Sequence, residues 1–392
     1  MTSGFRTIGV ASFAAAVAFA FYATPLSQAA PSPGETALLQ QVARLDEAPP
    51  PLFFHVSGEQ WLQPIPVYLT AFVGLIAPAD AAARYATAAL AALDVVLIFA
   101  LARRLFQNRL IPYAAALLLL ATPAHFVYAR LGTEAIYLLP FIFIWLICLV
   151  DYLRDGRAVH AAGGAFALGV GVYTQPAAPL TMTFVLLVSL AAMGSAGRLN
   201  LRTAASSVAA FSLPLLLAAG WFATHPESYP DTFGRWAIHA AHLRFPLDAV
   251  RAFINWTTLG TRASLYWGFF DPSWLFFDRP AAGTALRGSA PFLLATVVLM
   301  VPGVRWALAQ APSGVAALLL GGLAVSPLAA STFGEPHAIE SGMAVVPFML
   351  VLAIAGAVTA LTDDRRTWRV IAWGALAACA VDFASFYVAY WG

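Results

Sequence analysis

Residues 83–106 read ARYATAALAALDVVLIFALARRLF, and this stretch decides the fold class. From 84 to 102 its apolar residues are interrupted only by Arg84, Thr87 and Asp94. A run of about 20 mostly apolar residues is long enough to cross the hydrocarbon core of a bilayer as a helix. The run ends at Arg103 and Arg104, and cytoplasmic ends of membrane helices are typically rich in such residues. The stretch therefore predicts a transmembrane helix.

The composition of the whole chain agrees with this prediction. Hydrophobic residues make up 61% of the 392 residues and charged residues 10%, with a mean hydropathy of +0.77. A soluble domain is roughly half apolar and about a quarter charged. The apolar runs do not alternate as the strands of a membrane β-barrel would. The two cysteines, Cys148 and Cys379, each lie inside an apolar run and indicate neither a disulfide nor a metal site.

We predict an all-α polytopic membrane protein with about eleven transmembrane helices in a single domain over residues 1–392. Two long exocytoplasmic loops, 24–83 and 223–288, are expected to contain interfacial helices, one of them at 65–76. The first span precedes the sequence SQAAPS and resembles a signal peptide, but the later spans alternate correctly if it is kept as a helix. The predicted spans are 8–23, 84–102, 111–127, 136–151, 160–174, 178–194, 204–222, 289–304, 314–331, 344–361 and 369–390.

The basic residues predict the orientation of these spans. All are arginines, and every short connection on one side of the predicted spans carries at least one of them, at 103–109, 154–157, 198–202, 305 and 365–369. By the positive-inside rule this side is cytoplasmic, so both long loops face the opposite side, which in a bacterium is the periplasm. We therefore expect a multi-pass protein of the bacterial inner membrane with its functional face in the periplasm.

The connections on the arginine side are too short to bind a nucleotide. The sequence contains no Walker A or Rossmann glycine pattern in a strand–helix context. Nucleotide-driven chemistry and a nucleic-acid partner are not expected, so an enzyme of this kind would use an activated, lipid-linked substrate. No cofactor is predicted, although a divalent metal stays open.

The acids of the first loop are the candidate catalytic residues. Glu35 lies in the first turn of a short amphipathic helix, where a negative charge is favoured. Asp46 and Glu47 precede three prolines, which hold the following chain extended. Farther along, His55 and Glu59 lie beside Trp61, an aromatic anchor at the interface. Each acid is also explained as an ordinary loop or helix-start residue.

Three further regions offer candidate substrate-binding and donor-phosphate-binding residues. In YARLGTEA (128–135), Arg130 and Glu134 are four residues apart and would pair on a helix.

In the second loop, Arg235, His239, His242 and Arg244 form a cationic cluster that suits a phosphate better than a metal. That loop also contains an aromatic segment with Asp271. The turn FGEPHAIESGMA (333–344) adds Glu335, His337 and Glu340, with His337 as a phosphate partner. Each region also has a structural explanation. Arg130 and Glu134 would be an ion pair at a helix end, the aromatic segment an ordinary aromatic belt, and His337 a capping or solvated residue.

Two further acids lie inside predicted spans. The spacing of the charges predicts that Asp94 and Asp382 are isolated, and ionisable residues at membrane depth are costly and usually functional or paired. They keep a transporter interpretation open.

The order of these segments resembles the C-type polytopic glycosyltransferases, in the branch of the protein O-mannosyltransferases and aminoarabinose transferases. The resemblance is carried by PLFFHVSGEQWLQPIPVYLTAF (51–72), residues 83–106, PAHFVYARLGTEA (123–135), FFDPSWLFFD (269–278) and PHAIES (336–341). It implies a polyprenyl-phosphate sugar as donor, an exocytoplasmic acceptor and a first-loop acid as general base. It also implies cationic groups on the departing lipid phosphate.

The sequence departs from the family pattern at two positions. The expected Asp-Glu pair reads Gly34-Glu35, and the expected His-x-x-Arg turn ends at Glu340. Three hypotheses follow. The first is a glycosyltransferase with Glu35 or Asp46 as base and with Arg235, Arg244 and His337 as donor contacts. The second is a catalytically degenerate subunit that binds a lipid-linked glycan or a membrane-protein partner. The third is a transporter or flippase. Membrane lipids are partners in all three.

Overall fold

The computed structural model describes residues 2–24, 31–46, 51–57, 60–225, 256–277, 286, 289–332 and 336–391. Helices dominate these residues, and the strands β1 (Phe54–Ser57) and β2 (Gln60–Leu62) form one antiparallel hairpin. The helices are α1 (Thr2–Ala23), α2 (Pro33–Ala43), α3 (Pro64–Gly74), α4 (Ala82–Leu105), α5 (Ile111–Ala121), α6 (Pro123–Tyr128), α7 (Leu139–Asp155), α8 (Ala158–Gly171), α9 (Ala178–Ser195), α10 (Leu201–Thr224), α11 (Trp256–Phe269), α12 (Leu294–Ala309), α13 (Ser313–Ala330), α14 (Ile339–Gly342), α15 (Val345–Thr362) and α16 (Arg366–Trp391).

Each of the eleven predicted spans overlaps a helix, so the predicted fold class is confirmed. The span predicted at 111–127 is divided into α5 and α6 at Pro123, because the residue before a proline disfavours helical geometry. Within the described residues, seven helices are long and apolar enough to cross a membrane. Four shorter apolar helices correspond to the remaining predicted spans, so the count of eleven crossings stays a prediction.

Glycines allow pairs of helices to approach backbone to backbone. A Cβ atom on Gly303 of α12 would overlap the carbonyl oxygen of Leu352 on α15. The reverse also holds, since a Cβ on Gly356 of α15 would overlap the carbonyl oxygen of Leu299. Small residues at helix contacts are the usual means of close packing inside a membrane. These two glycines therefore fix how closely α12 and α15 approach each other.

Arginine-rich connections meet at one end of the bundle, which we call the arginine end. Arg104, at the end of α4, forms an ion pair with Asp151 near the end of α7, with Nε and Oδ2 2.8 Å apart. The Tyr152 hydroxyl donates to the backbone carbonyl of Arg198 over 2.7 Å. The connections after α4, α7 and α9 are thus held together. The opposite end, which we call the loop end, carries α2, the hairpin and α3.

Candidate active site at the loop end

The first loop begins with a capped helix that buries its acid. The Ser32 side chain accepts a hydrogen bond from the backbone N–H of Glu35 over 3.1 Å, and Pro33 occupies the first turn of α2. The predicted position of Glu35 at a helix start is therefore correct. The solvated face offered as its ordinary explanation is wrong, because the residue is only 1% exposed.

A bidentate ion pair explains the burial of Glu35. Arg84, in the first turn of α4, places Nε 2.7 Å from Glu35 Oε1 and Nη2 2.9 Å from Oε2. Both groups are buried, and paired fork-like contacts of this kind are the strong form of ion pair. Both carboxylate oxygens of Glu35 are therefore engaged by Arg84, which favours a structural role for this carboxylate over a role as a free base.

The segment 128–134 connects the parts of the loop end. Gly132 has a left-handed φ of +65°, and a Cβ there would lie 3.1 Å from Ala83 and 3.2 Å from the Glu35 carboxyl carbon. This turn replaces the helix on which Arg130 and Glu134 were expected to pair, since α6 ends at Tyr128. The two residues therefore do not share one helical face, and the hydrogen bonds described next connect each of them to a different part of the protein.

Arg130 fastens the end of α1 to the end of α16. Its Nη1 donates to the backbone carbonyls of Tyr22 and Thr24, over 2.7 and 2.9 Å. Its guanidinium carbon lies 4.7 Å from the centre of the Trp391 ring and 5.7 Å from that of Tyr390. Cation–π contacts of this kind are strongest where water is excluded, and Arg130 is buried. The guanidinium thus joins the last turns of the first and the last helix, both at the loop end.

Two hydrogen bonds extend the connections of segment 128–134. The backbone N–H of Gln63, between β2 and α3, donates to Glu134 Oε1 over 3.1 Å. The Tyr128 hydroxyl donates to Glu340 Oε1, in the short helix α14, over 3.2 Å. Candidate residues from the first loop, this segment and the last turn are therefore connected at one end of the bundle.

The last turn presents an exposed histidine on an aromatic surface. His337 has a φ of 59°, which is uncommon for a residue other than glycine, and its ring stacks on Trp274 with centroids 4.8 Å apart and planes 12° apart. Nearby, the backbone N–H and the side chain of Ser273 hydrogen-bond to Asp271. These bonds, with a smaller contribution from His337, hold the pKa of Asp271 below its ordinary value. An imidazole and a carboxylate thus lie close together on this surface.

His55 belongs to the hairpin above α2. It lies opposite Trp61 in the register of β1 and β2, with ring centroids 4.9 Å apart. Its backbone carbonyl accepts a hydrogen bond from the Gln41 side chain over 3.1 Å, and the residue is exposed. The interfacial position predicted for His55 next to Trp61 stays a prediction.

Several predicted residues lie outside the described part of the chain. Asp46 ends a short 3₁₀ turn, Arg44–Asp46, and its side chain is not described. Within the described residues, no cluster of three or more His, Cys, Asp or Glu side chains is placed to hold a metal ion. The predicted residues that lie wholly outside the description are Glu47, Glu59, Arg235, His239, His242, Arg244 and Glu335.

The acids inside the spans are not isolated, which corrects the sequence-based expectation. His125 Nε2 lies 3.4 Å from Asp94 Oδ2, and His125 Nδ1 lies 2.9 Å from the hydroxyl of Tyr22. All three residues are fully buried. Asp382 Oδ2 accepts the backbone N–H of Leu294 over 2.7 Å and so caps the start of α12.

Sequence reasoning missed Arg84, Gln63 and Trp274 as site residues. Arg84 carried one signal, because an arginine inside an apolar run is costly unless it finds a partner. Gln63 and Trp274 carried none, since their roles depend on contacts between segments far apart in the chain.

Together these features define a class, a polytopic helical membrane protein with a connected polar site at one end of its bundle. Residues 62–221 match the family model described as dolichyl-phosphate-mannose-protein mannosyltransferase. The expected resemblance to the C-type membrane glycosyltransferases is therefore confirmed. No curated protein matches the chain significantly.

The fold is similar to solved membrane oligosaccharyltransferases. One is AglB from Archaeoglobus fulgidus in complex with an inhibitory peptide and a dolichol-phosphate, at a TM-score of 0.58 and 13% identity, covering 98% of this chain and 56% of that one. A second structure of the A. fulgidus oligosaccharyltransferase, a complex with Zn and sulfate, gives a TM-score of 0.51 and 13% identity, covering 96% and 52%. This chain thus spans about half the length of those proteins.

A structure of ArnT from Cupriavidus metallidurans bound to undecaprenyl phosphate also matches. The match has a TM-score of 0.45 and 17% identity, and it covers 99% of this chain and 76% of that one.

Proposed function

We propose that this protein transfers a sugar from a polyprenyl-phosphate-linked donor to an acceptor at the loop end of the bundle. The observation that carries the proposal is the family match over residues 62–221, because this range contains the connecting segment 128–134 and the ion-pair residue Arg84. The family description includes a dolichyl-phosphate sugar, and one similar structure contains dolichol-phosphate. The loop end lies opposite the arginine end, so the positive-inside rule supports a periplasmic site in the bacterial inner membrane.

The reaction needs a base for the acceptor and a partner for the leaving group. The acceptor hydroxyl attacks the anomeric carbon of the sugar, its proton passes to a carboxylate, and the bond to the lipid phosphate breaks. General-base catalysis of this kind contributes roughly 10²–10⁴-fold to a rate. Because Arg84 engages both oxygens of Glu35, we assign Glu35 as a positioning residue and keep Asp46, with Glu47 beside it, as the base.

Cationic or hydrogen-bonding groups would stabilise the departing phosphate. His337 is exposed on Trp274 and is a candidate for this contact. Arg235 and Arg244 are the other proposed contacts, on the evidence of the sequence alone. Positioning of the two substrates and electrostatic stabilisation of the phosphate would supply most of the rate.

A second candidate function is supported by the last turn. The family pattern places an arginine where this chain has Glu340, and the Glu340 carboxylate accepts a hydrogen bond from Tyr128. A carboxylate does not attract a lipid phosphate. The chain would then be a subunit that binds a lipid-linked glycan or a membrane-protein partner without transferring sugar.

Transfer in proteoliposomes distinguishes the two functions. The purified protein would be incubated with a radiolabelled polyprenyl-phosphate sugar and an acceptor extract, and label leaving the lipid fraction would be measured. We expect transfer that falls at least about 100-fold in the Asp46→Asn variant. Asp80→Asn, which changes an exposed acid of the same loop, serves as the matched control and should retain full activity.

Two results would count against the proposal. Full transfer by both Asp46→Asn and Glu47→Gln variants would show that neither acid is the base. Binding of the labelled donor without any transfer, over a panel of donors and acceptors, would favour the subunit function.

A further inference from the structure

A cavity of about 310 Å³ lies at the loop end, between the start of α6 and the last turns of α16. Neither Glu35 nor Arg84 lines it, and it has no role in the proposed sugar transfer. Its volume is at the lower end of the range for small-ligand sites, roughly 300–1,000 Å³. Among the residues that line it are four phenylalanines, two serines and one acid, namely Phe276, Phe277, Phe292, Phe386, Ser289, Ser385 and Asp382.

Asp382, the acid of this cavity, has one carboxylate oxygen that can accept a further hydrogen bond. Asp382 uses Oδ2 to accept the backbone N–H of Leu294 over 2.7 Å. Its Oδ1 has no hydrogen-bond partner among the described residues. The start of α12 also stabilises a negative charge at this position, since helix N-termini carry a partial positive charge. The cavity is therefore lined by a carboxylate held in place through one oxygen, with the second available to a ligand.

The two serine hydroxyls already donate to backbone carbonyls and therefore present their lone pairs to a ligand. Ser289 donates its hydroxyl proton to the carbonyl of Leu286 over 2.7 Å, and Ser385 donates to the carbonyl of Val381 over 3.0 Å. A hydroxyl has one proton to donate and two lone pairs that accept. The polar side chains described in this lining therefore offer acceptors and one negative charge.

The acceptors and the negative charge of the lining determine which ligand group fits the cavity. Phosphate and carboxylate groups need donors or positive charge, and the side chains described here supply neither. A primary ammonium group carries three donors and a positive charge, and aromatic rings attract such a cation. We propose that this cavity binds the ammonium headgroup of a membrane aminolipid.

The surroundings favour a lipid as the source of the ammonium group. α16 forms one wall of the cavity, and its apolar residues Val381 and Val388 are 68% and 72% exposed on the bundle surface. In a membrane-spanning chain such a surface contacts lipid tails. A lipid whose tails pack along α16 would place its headgroup next to Asp382.

The test compares lipid retention in nanodiscs of equal phosphatidylethanolamine and phosphatidylcholine content, read out by native mass spectrometry. We expect the native protein to retain phosphatidylethanolamine about tenfold better than phosphatidylcholine, as a hydrogen-bonded charge contact would give. In Asp382→Asn the preference should disappear, while the asparagine amide oxygen still accepts the Leu294 N–H and so preserves the cap.

A matched control and a second variant keep the outcome unambiguous. Asp363 lies at the arginine end, just before the start of α16. It also accepts a backbone N–H, that of Arg365, over 2.8 Å. Asp363→Asn should therefore keep the tenfold preference. If Asp382→Asn fails to fold, Ser385→Ala removes one acceptor and should lower the preference several-fold.

Three results would overturn the proposal. The first is equal retention of the two lipids by the native protein, and the second is an unchanged preference in both site variants. The third concerns whether the ammonium group belongs to a lipid or to a soluble molecule. Glycerophosphoethanolamine, the soluble headgroup without tails, should bind far more weakly in detergent, and binding as tight as that of the lipid would exclude a lipid site.

Discussion

Glu35 and Arg84 form a buried bidentate ion pair, although they are 49 positions apart in the chain. The pair joins the first loop to the first turn of α4, with both oxygens of the carboxylate engaged. Gly132 packs against the same carboxylate through a left-handed turn. Three segments of the loop end therefore meet at one pair of charges.

Breaking this pair should destabilise the protein strongly. Glu35→Gln leaves the Arg84 guanidinium buried without its carboxylate, and the loss of one partner of a buried pair costs about 3–5 kcal/mol. The free energy of unfolding in detergent would measure this loss. The charge-swapped double variant, Glu35→Arg with Arg84→Glu, should recover part of it, because attraction between the two positions is restored.

A second ion pair provides the control for this prediction. Arg104 and Asp151 at the arginine end are partly exposed. Exposed pairs contribute about 0–1 kcal/mol, so Asp151→Asn should have a small effect. Equal destabilisation by Asp151→Asn and Glu35→Gln would contradict the role assigned to the buried pair.

The backbone of His337 predicts a difference between two variants that both remove the imidazole. Its φ of 59° lies in the left-handed region, which costs roughly 1–2 kcal/mol for residues with a Cβ and little for glycine. His337→Gly should therefore unfold at a higher temperature than His337→Ala, although both lose the stacking on Trp274. Both variants should show reduced sugar transfer, because neither can contact the leaving phosphate. If the alanine variant is the more stable of the two, the left-handed conformation is not maintained in the membrane.

The sequence predicted the helices well because each one is an apolar run, and hydrophobic length is a local property of the chain. The start of α2 was predictable for the same reason, since Ser32, Pro33 and Glu35 form a local capping pattern. The break at Pro123 was not anticipated, although the restriction that a proline places on the preceding residue could have indicated it.

The site was less predictable because its contacts connect distant segments. The spacing of Arg130 and Glu134 indicates a helical pair only if the residues between them are helical, and Gly132 leaves helical geometry. The partners actually found, such as Gln63 for Glu134, depend on how the first loop folds over α4. Asp94 looked isolated for the same reason, since His125 and Tyr22 come from other helices.

The contact between α12 and α15 predicts which glycines tolerate a methyl group. Gly356→Ala would push Cβ into the carbonyl of Leu299, and Gly303→Ala would do the same at Leu352. Because the clash is with backbone, the helices must move apart, and we expect a loss of at least about 1–3 kcal/mol for such overpacking. Gly374→Ala in α16, where nothing lies within 4 Å, is the control and should be neutral or slightly stabilising. The yield of monodisperse protein and its melting temperature would measure the difference, and equal tolerance of all three variants would refute the packing argument.

Variants of Asp94, in the buried group with Tyr22 and His125, distinguish an enzyme from a transporter. If Asp94 only holds helices together, Asp94→Asn should retain sugar transfer within a few-fold, because the amide still offers an acceptor to His125. Asp94→Leu offers none, leaves the buried imidazole without that partner, and should cost about 1–3 kcal/mol of stability. Proteoliposomes containing a pH-sensitive dye would test transport directly, and we expect the same proton flux with the native protein and with Asp94→Asn. A flux that the native protein supports and Asp94→Asn abolishes would instead assign this acid to a proton pathway, since an ionisable residue at membrane depth would then carry the charge that moves.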